Sequence, residues 1–266
     1  MRPVIALLTD FGTRDHYVGA MRGVALGICP DATLVDITHE IAPQDILGGA
    51  LELAAAFKYF PAGTVFLCVV DPGVGSARRG IAAEGGGYKF VAPDNGLLTT
   101  VFRHMGTPRV VELTEGKYAL PDVSRTFEGR DRFAPAAAWL AQGVELRELG
   151  PALANWQLLD VPEPRIEHER LCGVVLRVDR FGNLVTNIDR GAFDRFTQAR
   201  PTEIAAGGHP VAPLVTTYAE AGQGSMCALF GSSDHLEIAV AGGSAAERLG
   251  LTRGAAVVVR FQASYA

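Results

Sequence analysis

TVFLCVVDPGVGSARRG, residues 64–80, opens with seven uncharged residues and closes on two arginines. The first half has no polar alternation, which predicts a strand buried on both faces. An aspartate, a proline and two glycines end it, so a turn must follow. "VIALLT" (4–9) and "TLVDI" (33–37) read as further strands upstream. Between these strands, "YVGAMRGVALGIC" (17–29) is a helix stopped by Pro30, and "DILGGALELAAAFKYF" (45–60) is a helix stopped by Pro61. Apolar strands alternating with helices imply a mostly parallel sheet covered on both sides, the α/β class. "GIAAE", "KFVAP" and "RVVEL" extend the strand pattern, and "FAPAAAWLAQG" (133–143) closes it as a helix.

Beyond residue 150 the pattern changes. Residues 151–170 carry three prolines and no steady period, the composition of a connector. After it, "LCGVVLRVDRFGNLVTNI", "TEIAAGGHPVAPL", "SMCALFGSSDHLEIAV" and "AAVVVRF" read as short strands joined by Gly/Asn/Ser turns, a small all-β barrel. The expected organisation is an α/β domain over 1–155, a linker over 156–169 and a β-barrel domain over 170–266.

Composition narrows the function classes. The 266 residues are 48% hydrophobic and 20% charged, with a net charge of -5. That balance offers no global attraction to nucleic acid or anionic membrane. The start, "MRPVIALLTDFG", has no signal-peptide cleavage pattern, and no apolar run reaches membrane-spanning length, so a cytoplasmic protein is expected. Cys29, Cys68, Cys172 and Cys227 lie far apart in apolar stretches, as buried free thiols do. Neither they nor the histidines show metal-ligand spacing, and no metal site is expected.

Ligands of open α/β sheets bind at the carboxyl ends of strands. Asp10 and Asp71 end predicted strands, and Asp94 follows another within "DNG". Each also has a plain reading: a turn or helix cap for Asp10, a proline turn for Asp71, a tight turn for Asp94-Asn95-Gly96. "GVGSARRG" resembles a phosphate cradle, but it lacks the Gly-Lys-Ser/Thr ending and leads into a strand, so it is not a P-loop. Arg78, seven residues after Asp71, can fold back across the loop to pair with it.

"TDFGTRDHYVGAMRG", "DPGVGSARR", "APDNGLLT", "TFEGRDRFAPAAA", "DRFGNLVTNI" and "GSSDHLEIAV", in this order and over nearly the whole chain, resemble the signature blocks of the S-adenosylmethionine hydroxide adenosyltransferases (SAM hydrolases), relatives of the fluorinases and chlorinases. The resemblance implies a homotrimer with active sites between subunits, and S-adenosylmethionine as substrate with no cofactor. It implies catalytic roles for Asp71 and Arg78, and a histidine where this chain has Glu128. That glutamate either shares a proton with Asp71 or merely neutralises Arg78. The implied binding set is Asp10 on the ribose hydroxyls, Asp15 on the methionine ammonium, Asn183 on the adenine edge, Tyr218 stacked on adenine, Ser232 on the methionine carboxylate, and Asn95 of the "DNG" block. The plain readings of the last four are turn or barrel residues. Competing functions are a SAM-dependent halogenase, a SAM- or adenosine-binding protein with little turnover, and an unrelated metal-dependent phosphohydrolase.

Overall fold

The computed structural model describes residues 2–262; the last four residues of the expected barrel domain fall outside that range. The chain divides into two compact units, Met1–Asp160 and Val161–Ala266.

The first unit is built on a six-stranded mixed sheet. Its elements are β1 (Val4–Thr9), α1 (Tyr17–Ile28), β2 (Thr33–Thr38), α2 (Ile46–Ala56), β3 (Val65–Val69), β4 (Gly80–Gly85), β5 (Tyr88–Pro93), α3 (Thr99–His104), β6 (Arg109–Glu112) and α4 (Ala134–Ala141). The strand order is β2-β1-β3-β5-β4-β6. The β1–β2, β1–β3 and β3–β5 pairs are parallel, whereas β4 runs antiparallel to both β5 and β6. The sheet expected to be mostly parallel is mixed, with β4 reversed beside the edge strand β6. β4 and β5 are separated by only two residues, too few for the crossover that a parallel pair requires.

Successive β3 residues serve opposite faces. Val65, Leu67 and Val69 pack with Met21 and Ala25 of α1 and with the alanine-rich α4. Phe66 and Cys68, with Val70 just past the strand, pack with Ala50 and Leu53 of α2 and with Val101 and Phe102 of α3. Two cores on one strand explain its uninterrupted apolar run. β1 pairs with β2 on one side and β3 on the other, so chain order reverses direction there. Such a reversal opens a crevice beyond the strand ends. The paired register runs to Thr9↔Val69, which sets Asp10 and Asp71 just beyond it.

Residues 151–160 lie along the first unit: Leu153 N–H donates to Val110 O at 2.8 Å, and Leu159 N–H donates to Thr99 Oγ1 at 2.8 Å.

The second unit holds β7 (Arg165–Glu167), β8 (Arg170–Val178), β9 (Leu184–Asp189), α5 (Arg190–Thr197), β10 (Thr202–Ala206), β11 (His209–Val211), β12 (Met226–Phe230), β13 (His235–Val240), α6 (Ala245–Leu249) and β14 (Ala256–Phe261). Its antiparallel sheet runs β11-β10-β14-β8-β9-β13-β12, with β7 on β8. Beyond β11, Val215 N–H donates to Ala228 O at 2.9 Å and Ala228 N–H to Pro213 O at 3.0 Å, so the sheet nearly closes into a barrel. The expectation of an all-β unit needs correcting, because α5 and α6 are present. Each starts at a side-chain cap, Asp189 accepting from Ala192 N–H and Ser244 from Glu247 N–H. Among the described residues, no helix is long and apolar enough to cross a membrane.

Candidate active site

The turn after β3 brings three of the expected residues together. Arg78 meets Asp71 two-pronged, Nε to Oδ1 at 3.1 Å and Nη2 to Oδ2 at 2.6 Å. Its Nη2 also donates to Glu128 Oε2 at 3.1 Å, and Nη1 donates to Arg79 O at 2.8 Å. These bonds engage four of the five N–H donors of a guanidinium, leaving one Nη1 hydrogen without a partner among the described residues. The side chains of Asp71 and Arg78 are only 5% and 8% exposed, so the pair is largely desolvated. Phe133 supports it from beneath, its ring centroid 5.2 Å from Arg78 Cζ.

The loop geometry needs Gly75. Its φ is +77°, and a Cβ there would sit 2.5 Å from the carbonyl oxygen of Arg125. Ser76 tightens the same turn, donating to Gly73 O at 2.7 Å and accepting from Arg78 N–H at 3.1 Å. Glu128 arrives from elsewhere, at the head of a single π-helical turn, Gly129–Phe133, that runs into α4. Arg132 Nε lies 3.7 Å from Glu128 Oε2, so charges alternate Asp71, Arg78, Glu128, Arg132 and sum to zero.

Burial is the main force on Asp71 and pushes its carboxyl above the ordinary value. Arg78 pulls the other way through charge and hydrogen bonding, and Glu128 adds to the rise by repulsion. The site therefore holds a carboxylate that is more basic than usual.

Asp10 lies across the strand reversal. It does not cap α1, whose N-cap is His16; its Oδ2 accepts Gln44 N–H at 2.8 Å. Asp15 is exposed in the same loop. Asn95 is committed to the backbone, its Nδ2 donating to Val70 O at 2.8 Å and its Oδ1 accepting from Leu97 N–H at 3.2 Å. It thereby braces the residue before Asp71. Asp94 is structural: Arg79 grips it from Nη2 at 2.6 Å, and it accepts Gln157 N–H at 2.8 Å.

In the second unit, Asn183 closes the β8–β9 hairpin, its Nδ2 donating to Asp179 Oδ2 at 2.9 Å. Tyr218 is 43% exposed, and its hydroxyl donates to the buried Glu237 at 2.9 Å. Burial is the main force raising both Glu237 and Tyr218, Glu237 raises Tyr218 further, and the Asp179 charge adds to both. Asn183 and Tyr218 thus belong to one electrostatic neighbourhood. Ser232 is exposed in the β12–β13 turn. The neighbouring Ser233 carries a buried hydroxyl with no partner among the described residues.

A family model described as the SAM hydroxide adenosyltransferase N-terminal domain matches residues 5–150, and its C-terminal counterpart matches 173–258. The chain belongs to the SAM hydroxide adenosyltransferase family. It is 40% identical over 255 residues to an (R)-S-adenosyl-L-methionine hydrolase of Salinispora tropica, covering 95% of each chain. The protein of that name from Thermus thermophilus is 41% identical over 262 residues, covering 96% of this chain and 98% of its own. A fluorinase of an Actinoplanes species is more distant, 33% identical over 252 residues and 83% of this chain. Among solved structures, an uncharacterized conserved protein from Thermotoga maritima superposes with a TM-score of 0.91 at 35% identity, covering 96% of this chain and 99% of that one.

Within the adenosyltransferase N-terminal domain, sequence reasoning missed several residues around the cluster. Phe11, Tyr17 and Phe127 form an aromatic trio with centroids 5.2–5.8 Å apart, joining the Asp10 loop to the residue before Glu128. Arg132 was legible only as one of several charges in "EGRDRF". The signal that marks it is its distance of four from Glu128, which one helical turn brings onto the same side. Among the described residues of the two adenosyltransferase domains, no group of three or more His, Cys, Asp or Glu side chains is arranged to hold a metal.

Proposed function

We propose that this protein hydrolyses S-adenosylmethionine to adenosine and L-methionine. Water oxygen attacks the ribose C5′ in line with the C5′–S bond. The bonding pair leaves with sulfur, and the sulfonium becomes a neutral thioether. Such a leaving group needs no protonation, so the demands fall on the nucleophile and on alignment. Asp71 takes the water proton, and the free Nη1 hydrogen of Arg78 holds the developing hydroxide. Desolvation suits both tasks: it makes Asp71 a better base and strengthens the guanidinium's hold on an anion. Fixing the water behind C5′ contributes several kcal/mol, by the general magnitude of such proximity effects, ~7 kcal/mol or more for well-aligned groups.

The binding roles are those the family resemblance implies. Asp10 accepts the two ribose hydroxyls, Asp15 faces the methionine ammonium, Asn183 reads the adenine edge and Ser232 meets the methionine carboxylate. Tyr218 stacks on adenine; its hydroxyl is already anchored, which leaves the ring face for the base. Asn95 acts through the Val70 carbonyl it braces. The reading includes a closed barrel for the second unit, a homotrimeric assembly, a cytoplasmic location, and neither cofactor nor nucleic-acid partner.

The observation that carries the proposal is the buried Asp71–Arg78 pair at the strand reversal, in a chain about 40% identical to proteins named (R)-S-adenosyl-L-methionine hydrolase. A halide nucleophile is disfavoured there, because Asp71 and Glu128 lie against the same guanidinium and would repel it. The test is to incubate the purified protein with S-adenosylmethionine, with and without chloride, and to chromatograph the products. Equimolar adenosine and methionine are expected in both cases. A 5′-chloro product, or bound but unchanged substrate, would overturn the proposal.

A further inference from the structure

His39 follows β2, is 5% exposed, and has no part in the chemistry above. Its ring lies between the ends of two strands. Nδ1 is 2.8 Å from Thr9 Oγ1, and Nε2 is 3.0 Å from Asp36 Oδ1. Thr9 is fully buried, and its Oγ1 also accepts Phe11 N–H at 3.2 Å. On the far side, the Asp36 carboxylate is paired with Arg22 of α1.

One proton arrangement fits the Thr9 end of this row. The Phe11 amide donates to Thr9 Oγ1, which frees the threonine hydrogen to point at Nδ1. Nδ1 must then be unprotonated, and the imidazole hydrogen sits on Nε2, 3.0 Å from the Asp36 carboxylate but out of line for a hydrogen bond, so that contact is electrostatic. The opposite tautomer would set a lone pair against a carboxylate and leave the threonine hydrogen without an acceptor. The same segment makes two more anchors. His39 O accepts Gly12 N–H at 2.7 Å, and Gln44 N–H holds Asp10 Oδ2 at 2.8 Å. Residues 9, 10 and 12 are thus tied to one stretch, 39–44, on both sides of the Asp10 side chain.

We infer that His39, through Thr9, is a positioning residue for the Asp10 carboxylate, holding the β1–α1 loop in register for a ligand carrying a vicinal diol. The inference rests on the ribose role proposed for Asp10. The charged groups facing the ring are Asp36 of β2, Arg22 from α1 and the adjacent Glu40. Burial first, then Arg22, hold the imidazole below its ordinary value, and Glu40 opposes them. A neutral ring at working pH is what a Thr9 hydroxyl donating to Nδ1 requires. Acidification places a proton on Nδ1 and removes the acceptor that Thr9 needs.

The test compares Thr9→Val, which keeps shape but deletes the hydroxyl, with Thr9→Ser, which keeps it. Thr9→Val is expected to raise KM for S-adenosylmethionine and Kd for adenosine about tenfold with kcat within about twofold, the usual effect of losing one hydrogen bond. Thr9→Ser should match the parent. In the parent enzyme KM should rise as pH falls below the ordinary imidazole value of 6.5. His39→Asn, which offers an acceptor where Nδ1 stood, should lose that pH dependence. An unchanged KM in Thr9→Val, or an equal loss by Thr9→Ser, would overturn the inference. Long-range 15N NMR of the parent protein, which needs no variant to fold, gives a second decision: an Nε2–H, unprotonated-Nδ1 ring is expected, and an Nδ1–H ring would overturn it. If the parent enzyme fails to turn over S-adenosylmethionine, the hydrolase reading falls alone, and the NMR signal still decides the proton arrangement.

Discussion

Asp71 sits under opposing influences, and their order has consequences. Burial lifts its carboxyl, Arg78 lowers it and Glu128 lifts it again. As general base it must be ionised, so the acid limb of kcat is expected above the ordinary aspartate value of 3.8. Glu128→Gln keeps the shape and deletes the repulsion, so that limb should move to lower pH. A pH–rate profile of the two proteins checks this; a limb that stays or moves upward would show that Glu128 is not felt at Asp71. Asp71→Asn should lower kcat by at least about 100-fold, the general contribution of a positioned base, with little change in KM. The two pH effects are separable, because the Asp71 limb belongs to kcat and the His39 limb to KM.

The β3–β4 turn is shaped by a glycine whose demands are both conformational and steric. Placing alanine at φ +77° costs about 1–2 kcal/mol on conformation alone. Asparagine tolerates that region, yet its Cβ would still meet the Arg125 carbonyl at 2.5 Å. Both Gly75→Ala and Gly75→Asn are therefore expected to lower the urea midpoint and reduce kcat by shifting Arg78. Full rescue by asparagine would show that only the dihedral matters. The π turn at Gly129–Phe133 has a comparable positional effect. It adds a residue to the helical path, and such insertions accompany functional sites; here Glu128 stands at its head, in reach of Arg78.

Across the molecule, buried ionisable groups make stability pH-dependent with opposite signs. Glu237 is raised in the fold from an ordinary 4.5, chiefly by burial. Its contribution is fully present below 4.5 and is lost as pH rises through the folded value, because the unfolded chain then ionises more easily. Asp71 behaves likewise from 3.8. His39 is lowered from 6.5, so its contribution is present above 6.5 and is lost as pH falls through its folded value. Glu237→Gln retains an acceptor for the Tyr218 hydroxyl while removing the charge. It should raise Tm at pH 8 and leave Tm unchanged near pH 4, as read by thermal melts. An equal gain at both values would point to packing instead.

The apolar runs of β1, β2 and β3, the helices between them and the position of Asp71 at a strand end were all readable in the chain. Hydrophobic periodicity and the Asp-Pro-Gly turn are local properties, and seventeen residues from Thr64 to Gly80 display both. The pairing of Asp71 with Arg78 was also within local reach, seven residues apart on one turn. What local pattern could not supply was anything joined over distance. Glu128 reaches Arg78 across 50 residues, and His39 meets Thr9 across 30. The reversed strand β4, the helices α5 and α6 and the committed backbone role of Asn95 likewise emerged only on folding. The reason is physical: a charge or an imidazole looks alike in sequence whether it faces water or a partner. Only close packing brings such groups together, removes water from between them and gives each its proton.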